Sequence, residues 1–143
     1  MRQSSGRFVT IISLVAAFMA PTACGSNTIS NVPTTPVNPT TDTFAGTLTV
    51  NGAVTHTFVV LTAGTITATL TTVGPDSTTP IGISIGNWSG TTCSVGQGLF
   101  QDHAVQGAIL TATVSLPGTL CLRVYDPGTL TDSATYSVDV VHP

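Results

Sequence analysis

From Phe44 to Val140 apolar residues recur at every second position almost throughout, and no stretch carries the three-to-four spacing of a helix. Phe44, Leu48 and Val50 share one parity, as do Val54, Phe58 and Val60, then Ile66, Ala68 and Leu70, then Ile81, Ile83 and Ile85. The alternation returns at Leu110, Ala112 and Val114, at Leu120, Leu122 and Val124, and at Tyr136, Val138 and Val140. Successive side chains of an extended strand point to opposite faces, so each run reads as a strand with one buried face. Turn signals separate the runs: NGA, TAGT, GPDSTTP, NWSGTT, LPGT and YDPGT. One open sheet would leave a set of these residues wet, whereas two sheets packed face to face bury both sets. The pattern predicts an all-β sandwich over 43–143, a length that suffices for one such domain and not for two.

The chain before this domain reads as an export signal followed by a tether. Arg2 and Arg7 flank a polar start, and Phe8 to Ala20 form an apolar run too short to span a bilayer. In PTACG, Thr22 and Ala23 are small, Cys24 follows them and Gly25 comes next. This stretch resembles the bacterial lipoprotein box, in which the cysteine is acylated and becomes the new N-terminus; Pro21 stands where that box usually has Leu. The resemblance implies a signal peptide over 1–23, a lipidated Cys24, and a membrane-anchored lipoprotein of the outer membrane or cell surface. The alternative is an ordinary secreted protein with an unpaired Cys24. Residues 25–42, GSNTISNVPTTPVNPTTD, are rich in Thr, Pro and Asn and nearly free of apolar residues, which is the composition of a linker. In an extended proline-rich conformation the 25–42 segment reaches roughly 55 Å at about 3.1 Å per residue.

Removal of the signal changes the charge. From Cys24 onward Arg123 is the one basic side chain besides histidine, and it stands against six aspartates with no Lys and no Glu, a net charge of −5 with His neutral. Such a chain cannot neutralise phosphates, so nucleic acid and anionic headgroups are excluded as partners, and a lipid anchor is the expected link to a membrane. Charged residues make up 6% of the sequence, against about a quarter in ordinary domains. With Thr as the leading polar residue, the surface is expected to be neutral and hydroxyl-rich.

Two longer stretches carry a second resemblance: FAGTLTVNGAVTHTFVVLTAGTITATL and LPGTLCLRVYDPGTLTDSATYSVDV. Their order of strand, short turn, Phe-bearing strand and Gly-Thr-led strand, with a closing Pro-Gly-Thr strand that ends in Arg-Val, is similar to the bacterial pre-peptidase C-terminal (PPC) domain family. His56 stands where that family commonly carries Tyr. The resemblance implies a jelly-roll-like sandwich of antiparallel strands that serves as an accessory or binding module.

The residues offer little for catalysis. His56 shares parity with Val54 and Phe58 and reads as a structural histidine at an inward or edge position; His142 carries no motif. Asp102 and His103 are adjacent, and neighbours on a strand face opposite ways, so neither can orient the other as a triad requires. No Gly-x-Ser-x-Gly elbow, paired Glu or His-rich metal spacing occurs, and the sequence predicts a protein that is not an enzyme, with no cofactor and no metal. Asp76, Asp102 and Asp126 lie in or near loops, where turn capping competes with a calcium site; no D-x-D-x-D loop is present. Trp88, beside Asn87 in NWSGTT, is either a core or strand-end residue or an aromatic of a ligand-binding surface.

In an exported chain three cysteines sort into a pair and a leftover. Cys121 alternates with Leu120 and Leu122 and so faces away from their core side, and Cys93 follows the Trp88 turn. A Cys93–Cys121 bridge would leave Cys24 free for acylation. The expected function is a monomeric, envelope-anchored binding or adhesion module for a polysaccharide or other extracellular polymer, or for an envelope protein. A structural envelope lipoprotein without a specific ligand and a calcium-dependent accessory module are the alternatives.

Overall fold

The computed structural model describes residues 38–143; the expected signal peptide 1–23, Cys24 and most of the expected linker 24–42 lie outside the described residues. Eight strands follow in order: β1 (Thr40–Leu48), β2 (Ala53–Val60), β3 (Gly64–Gly74), β4 (Ile81–Trp88), β5 (Cys93–Ala104), β6 (Ile109–Val114), β7 (Gly118–Tyr125) and β8 (Ala134–His142). They form two antiparallel four-stranded sheets, β1-β8-β3-β6 and β2-β7-β4-β5, and no helix occurs among the described residues. This is the expected all-β, jelly-roll-like sandwich.

Alternation builds the core. Leu48, Ile66, Leu70, Ile83, Leu122 and Val138 are each fully buried, and every one belongs to a parity set visible in the sequence. Their outward neighbours on the first sheet are hydroxyl-bearing: Thr41, Thr43, Thr47, Thr65, Thr111 and Thr113 are all exposed. The register places Thr41, Val141, Thr67 and Thr111 in one row across that sheet. Along β3 the parity reverses once. Leu70 pairs with Val138 and Thr72 with Ser137, so Thr71 is an extra residue whose Oγ1 donates to the Ser137 carbonyl at 3.0 Å. Beyond that bulge the odd position Val73 turns inward, 4% exposed.

Three features depart from the sequence reading. β1 begins at Thr40 rather than at Thr43, because Thr40, Thr41 and Asp42 pair with His142, Val141 and Val140 of β8. Val50 leaves the strand for the Thr49–Gly52 turn, where it is 42% exposed, and Asn51 takes a left-handed φ of 55°. β5 carries no clear alternation. Its register against β4 slips twice, and between the Ser84↔Phe100 and Gly86↔Val95 pairs β5 holds additional residues around Gly96-Gln97-Gly98, with Gly98 at φ 76°.

Candidate functional site

β4 is an interior strand of the second sheet, and its sequence IGISIGNW alternates large and small. Ile81, Ile83 and Ile85 enter the core, so Gly82, Ser84 and Gly86 line the outer face. The strands on either side present large groups there. One row across the sheet reads Phe100, Ser84, Arg123 and Thr55; the next places Gly82 beside Tyr125; the row on the other side places Val95, Gly86, Cys121 and Thr57 together. At the two glycines the space above the backbone is already taken. A Cβ on Gly82 would lie 2.3 Å from Cε2 of Tyr125, and one on Gly86 would lie 2.5 Å from the Ser94 carbonyl oxygen.

The second of these contacts explains the disulfide. Cys93 and Cys121 are bridged, with Cα atoms 5.8 Å apart. They sit on β5 and β7, which flank β4, and strands two places apart in a flat sheet would stand about 9.5 Å from one another. The start of β5 therefore folds over β4 at Gly86, where no side chain obstructs it. Cys121 points away from the core, as its parity predicts, and this fold-over leaves it 0% exposed.

Trp88 ends β4 on the same outer face, half-buried and paired with Cys93. Asn87 is exposed and points to the opposite side, where it pairs with Leu120 and borders a hollow beside Leu116 and Gly118. The structure thus joins Trp88 to the disulfide and separates it from Asn87. Trp88 shares the outer face with Phe100, Tyr125, Arg123 and Ser84 but lies four residues along β4 from the Ser84 row, and none of those four was read as a site residue in the sequence. Two signals for them were present: Arg123 is the lone arginine from Cys24 onward, and a Gly-Ser-Gly alternation inside an apolar strand marks close approach on its outer side.

Electrostatics on this face centre on Arg123. Its Cζ lies 5.0 Å from the centroid of the Tyr125 ring. The Tyr125 hydroxyl donates to Asp102 Oδ1, and burial followed by this carboxylate pushes its pKa up to about 12. Asp102 is thereby engaged by Tyr125, and among the described residues no carboxylate lies within ion-pair distance of Arg123. Beneath it, Ser84 is 2% exposed and its Oγ has no hydrogen-bond partner.

The other polar groups are occupied in the framework. Burial alone would raise the Asp126 carboxyl, but the amides of Asn51, Leu130, Thr129 and Gly128 together hold it below its ordinary value. The Thr78 amide, and then its hydroxyl, lower Asp76. Asp102 and Asp126 border one hollow with Asn51 and Tyr125, while Asp76 borders another with Asp132, so the three aspartates do not converge. His56 Nε2 and Tyr136 Oη are hydrogen-bonded at 2.8 Å, and Phe44 stacks on the imidazole at 4.9 Å; burial lowers the His56 pKa. His142, which carried no signal in the sequence, is 5% exposed, lies against Phe58 and meets Asp42 Oδ2 at 3.1 Å.

No family model matches the chain, and no curated protein matches it. Among solved structures the chain is similar to PliG of Aeromonas hydrophila, a periplasmic lysozyme inhibitor of g-type lysozyme. The identity is 16%, the TM-score is 0.48, and the match covers 71% of this chain and 86% of that one.

Proposed function

We propose that this chain is an exported, non-enzymatic binding module of the cell envelope, a PPC-like sandwich tethered through an acylated Cys24 and the 24–42 linker. It engages an extracellular polymer or an envelope protein through the outer face of the second sheet. The observation that carries this reading is the alignment of Phe100, Arg123 and Tyr125 beside the small residues of β4, on an outer face that ends at Trp88 and the Cys93–Cys121 disulfide. Trp, Tyr and Arg are the side chains that dominate binding energy at interfaces, and a rigid sheet presents them without an ordering cost. The linker supplies reach, and the threonine-rich face of the other sheet, where Thr43 donates to Asp139, leaves one side of the domain chemically distinct.

The test is affinity capture from envelope material with the soluble Cys24→Ser chain and two pairs of substitutions. Trp88→Ala with Phe100→Ala is expected to abolish capture, and Thr43→Ala with Thr111→Ala on the opposite sheet to preserve it. Equal capture by both pairs would remove the proposed face, and no capture by any form would leave a structural lipoprotein without a specific ligand.

A further inference from the structure

Within the face assigned above, and resting on that assignment, we propose that Arg123 is the anchor and receives a carboxylate from a protein partner, with the Ser84 hydroxyl as a second donor. Two independent observations converge on this row. Arg123 is a half-buried guanidinium with no carboxylate at ion-pair distance among the described residues. Ser84 pairs directly with it across β4 and β7, and its buried Oγ has no partner. A planar guanidinium takes a carboxylate through two parallel N–H donors, and a buried hydroxyl without a partner is stabilised by any acceptor brought within reach. Phe100 closes the row on the edge strand and is 48% exposed, so it is the neighbour with room to swing aside and admit the acceptor. Tyr125 meets the guanidinium through its ring face, which occupies none of the in-plane N–H donors that a carboxylate would use, while its hydroxyl is committed to Asp102.

Charge selects a protein carboxylate over an acidic polysaccharide. The face offers one cation, while Asp102 and Asp126 border the adjoining hollow. A polymer with a carboxylate on successive sugars would set its second and third charges against these aspartates; a single Asp, Glu or C-terminal carboxylate meets Arg123 alone. The aromatic neighbours Phe100 and Tyr125 then flank that carboxylate.

The experiment is an NMR titration of the 15N-labelled Cys24→Ser chain with N-acetyl-L-glutamate, using N-acetyl-L-glutamine as the uncharged control. Saturable shifts of the Arg123 Nε–H and of the Ser84 and Phe100 amides are expected at millimolar concentrations, with no response to the control. Arg123→Met should abolish the shifts, and Arg123→Lys should weaken the response several-fold. Ser84→Ala keeps the idea falsifiable should an Arg123 variant fail to fold. It removes a hydroxyl that has no partner, so melting should be unchanged or slightly raised while carboxylate binding falls several-fold. The proposal is overturned by equal responses to the two probes, or by Ser84→Ala binding as the parent does. It is also overturned if oligogalacturonate moves the same resonances at tenfold lower concentration than N-acetyl-L-glutamate, which would make the partner a polymer. If N-acetyl-L-glutamate leaves the row untouched while Trp88 and Phe100 variants still lose envelope capture, the face stands and the carboxylate assignment falls.

Discussion

His56 fills a position where a charge would be costly. Phe44 covers one side of its ring, Tyr136 Oη holds Nε2, and burial lowers its pKa from the ordinary 6.5. A histidine that binds its proton more weakly when folded favours unfolding as it protonates, so its contribution is complete above the unfolded value near 6.5 and declines as the pH falls below it. Asp76 and Asp126 act in a separate window, because their lowered values matter only as the pH approaches the ordinary carboxylate value of 3.8. The urea midpoint is therefore expected to drop between pH 7 and pH 5, and His56→Gln should flatten that slope; a parallel slope in the variant would show that the titration lies elsewhere. At this scale the sequence was partly legible. The parity of His56 with Val54 and Phe58 placed it correctly among apolar neighbours. His142 escaped notice because its burial depends on β8 running beside β1 and above Phe58, a pairing of residues about a hundred positions apart.

Among the elements, β4 and β5 are coupled through one glycine. The bridge between Cys93 and Cys121 spans 28 residues of sequence and is worth about 3.5 kcal/mol by loop-closure entropy. It forms only where β5 can lie on top of β4. Gly86→Ala drives a methyl group into the Ser94 carbonyl, a backbone atom with little freedom to retreat. The cost expected in chemical denaturation is about 1–3 kcal/mol, the range for overpacking, together with free thiol in a fraction of the molecules. In a Cys93→Ala/Cys121→Ala background the start of β5 is released, so the same substitution should cost less, and strict additivity would refute the coupling. Seven strands announce themselves by period two. β5 does not, because it is an edge strand whose mostly exposed residues and inserted Gly96-Gln97-Gly98 erase the alternation. The candidate face was hidden for a related reason. Phe100, Ser84, Arg123 and Thr55 become neighbours only through a strand order that no local pattern records, and composition singled out Trp88 and Arg123 without placing them on one face.

The described residues, 38–143, draw their coherence from one core shared by both sheets. That segment by itself is expected to give a far-UV spectrum of β-structure only, a single cooperative melt and a monomer in sedimentation; a helical signature would overturn the fold. The class and layering were legible because alternation and turn residues are local physics. The outward-facing threonines followed from the same rule, since Thr suits the exposed side of a pleated strand. One further property lies in the pairing of the first strand with the last. Thr40 faces His142, and Asn38 and Pro143 border the same hollow. The domain thus enters and leaves a polypeptide through a single doorway, the geometry of a cassette rather than of a bead on a string. It can be spliced into a surface loop of an unrelated host, or joined end to end by a few residues and reopened at the exposed Leu116 turn, without parting any of its eight strands.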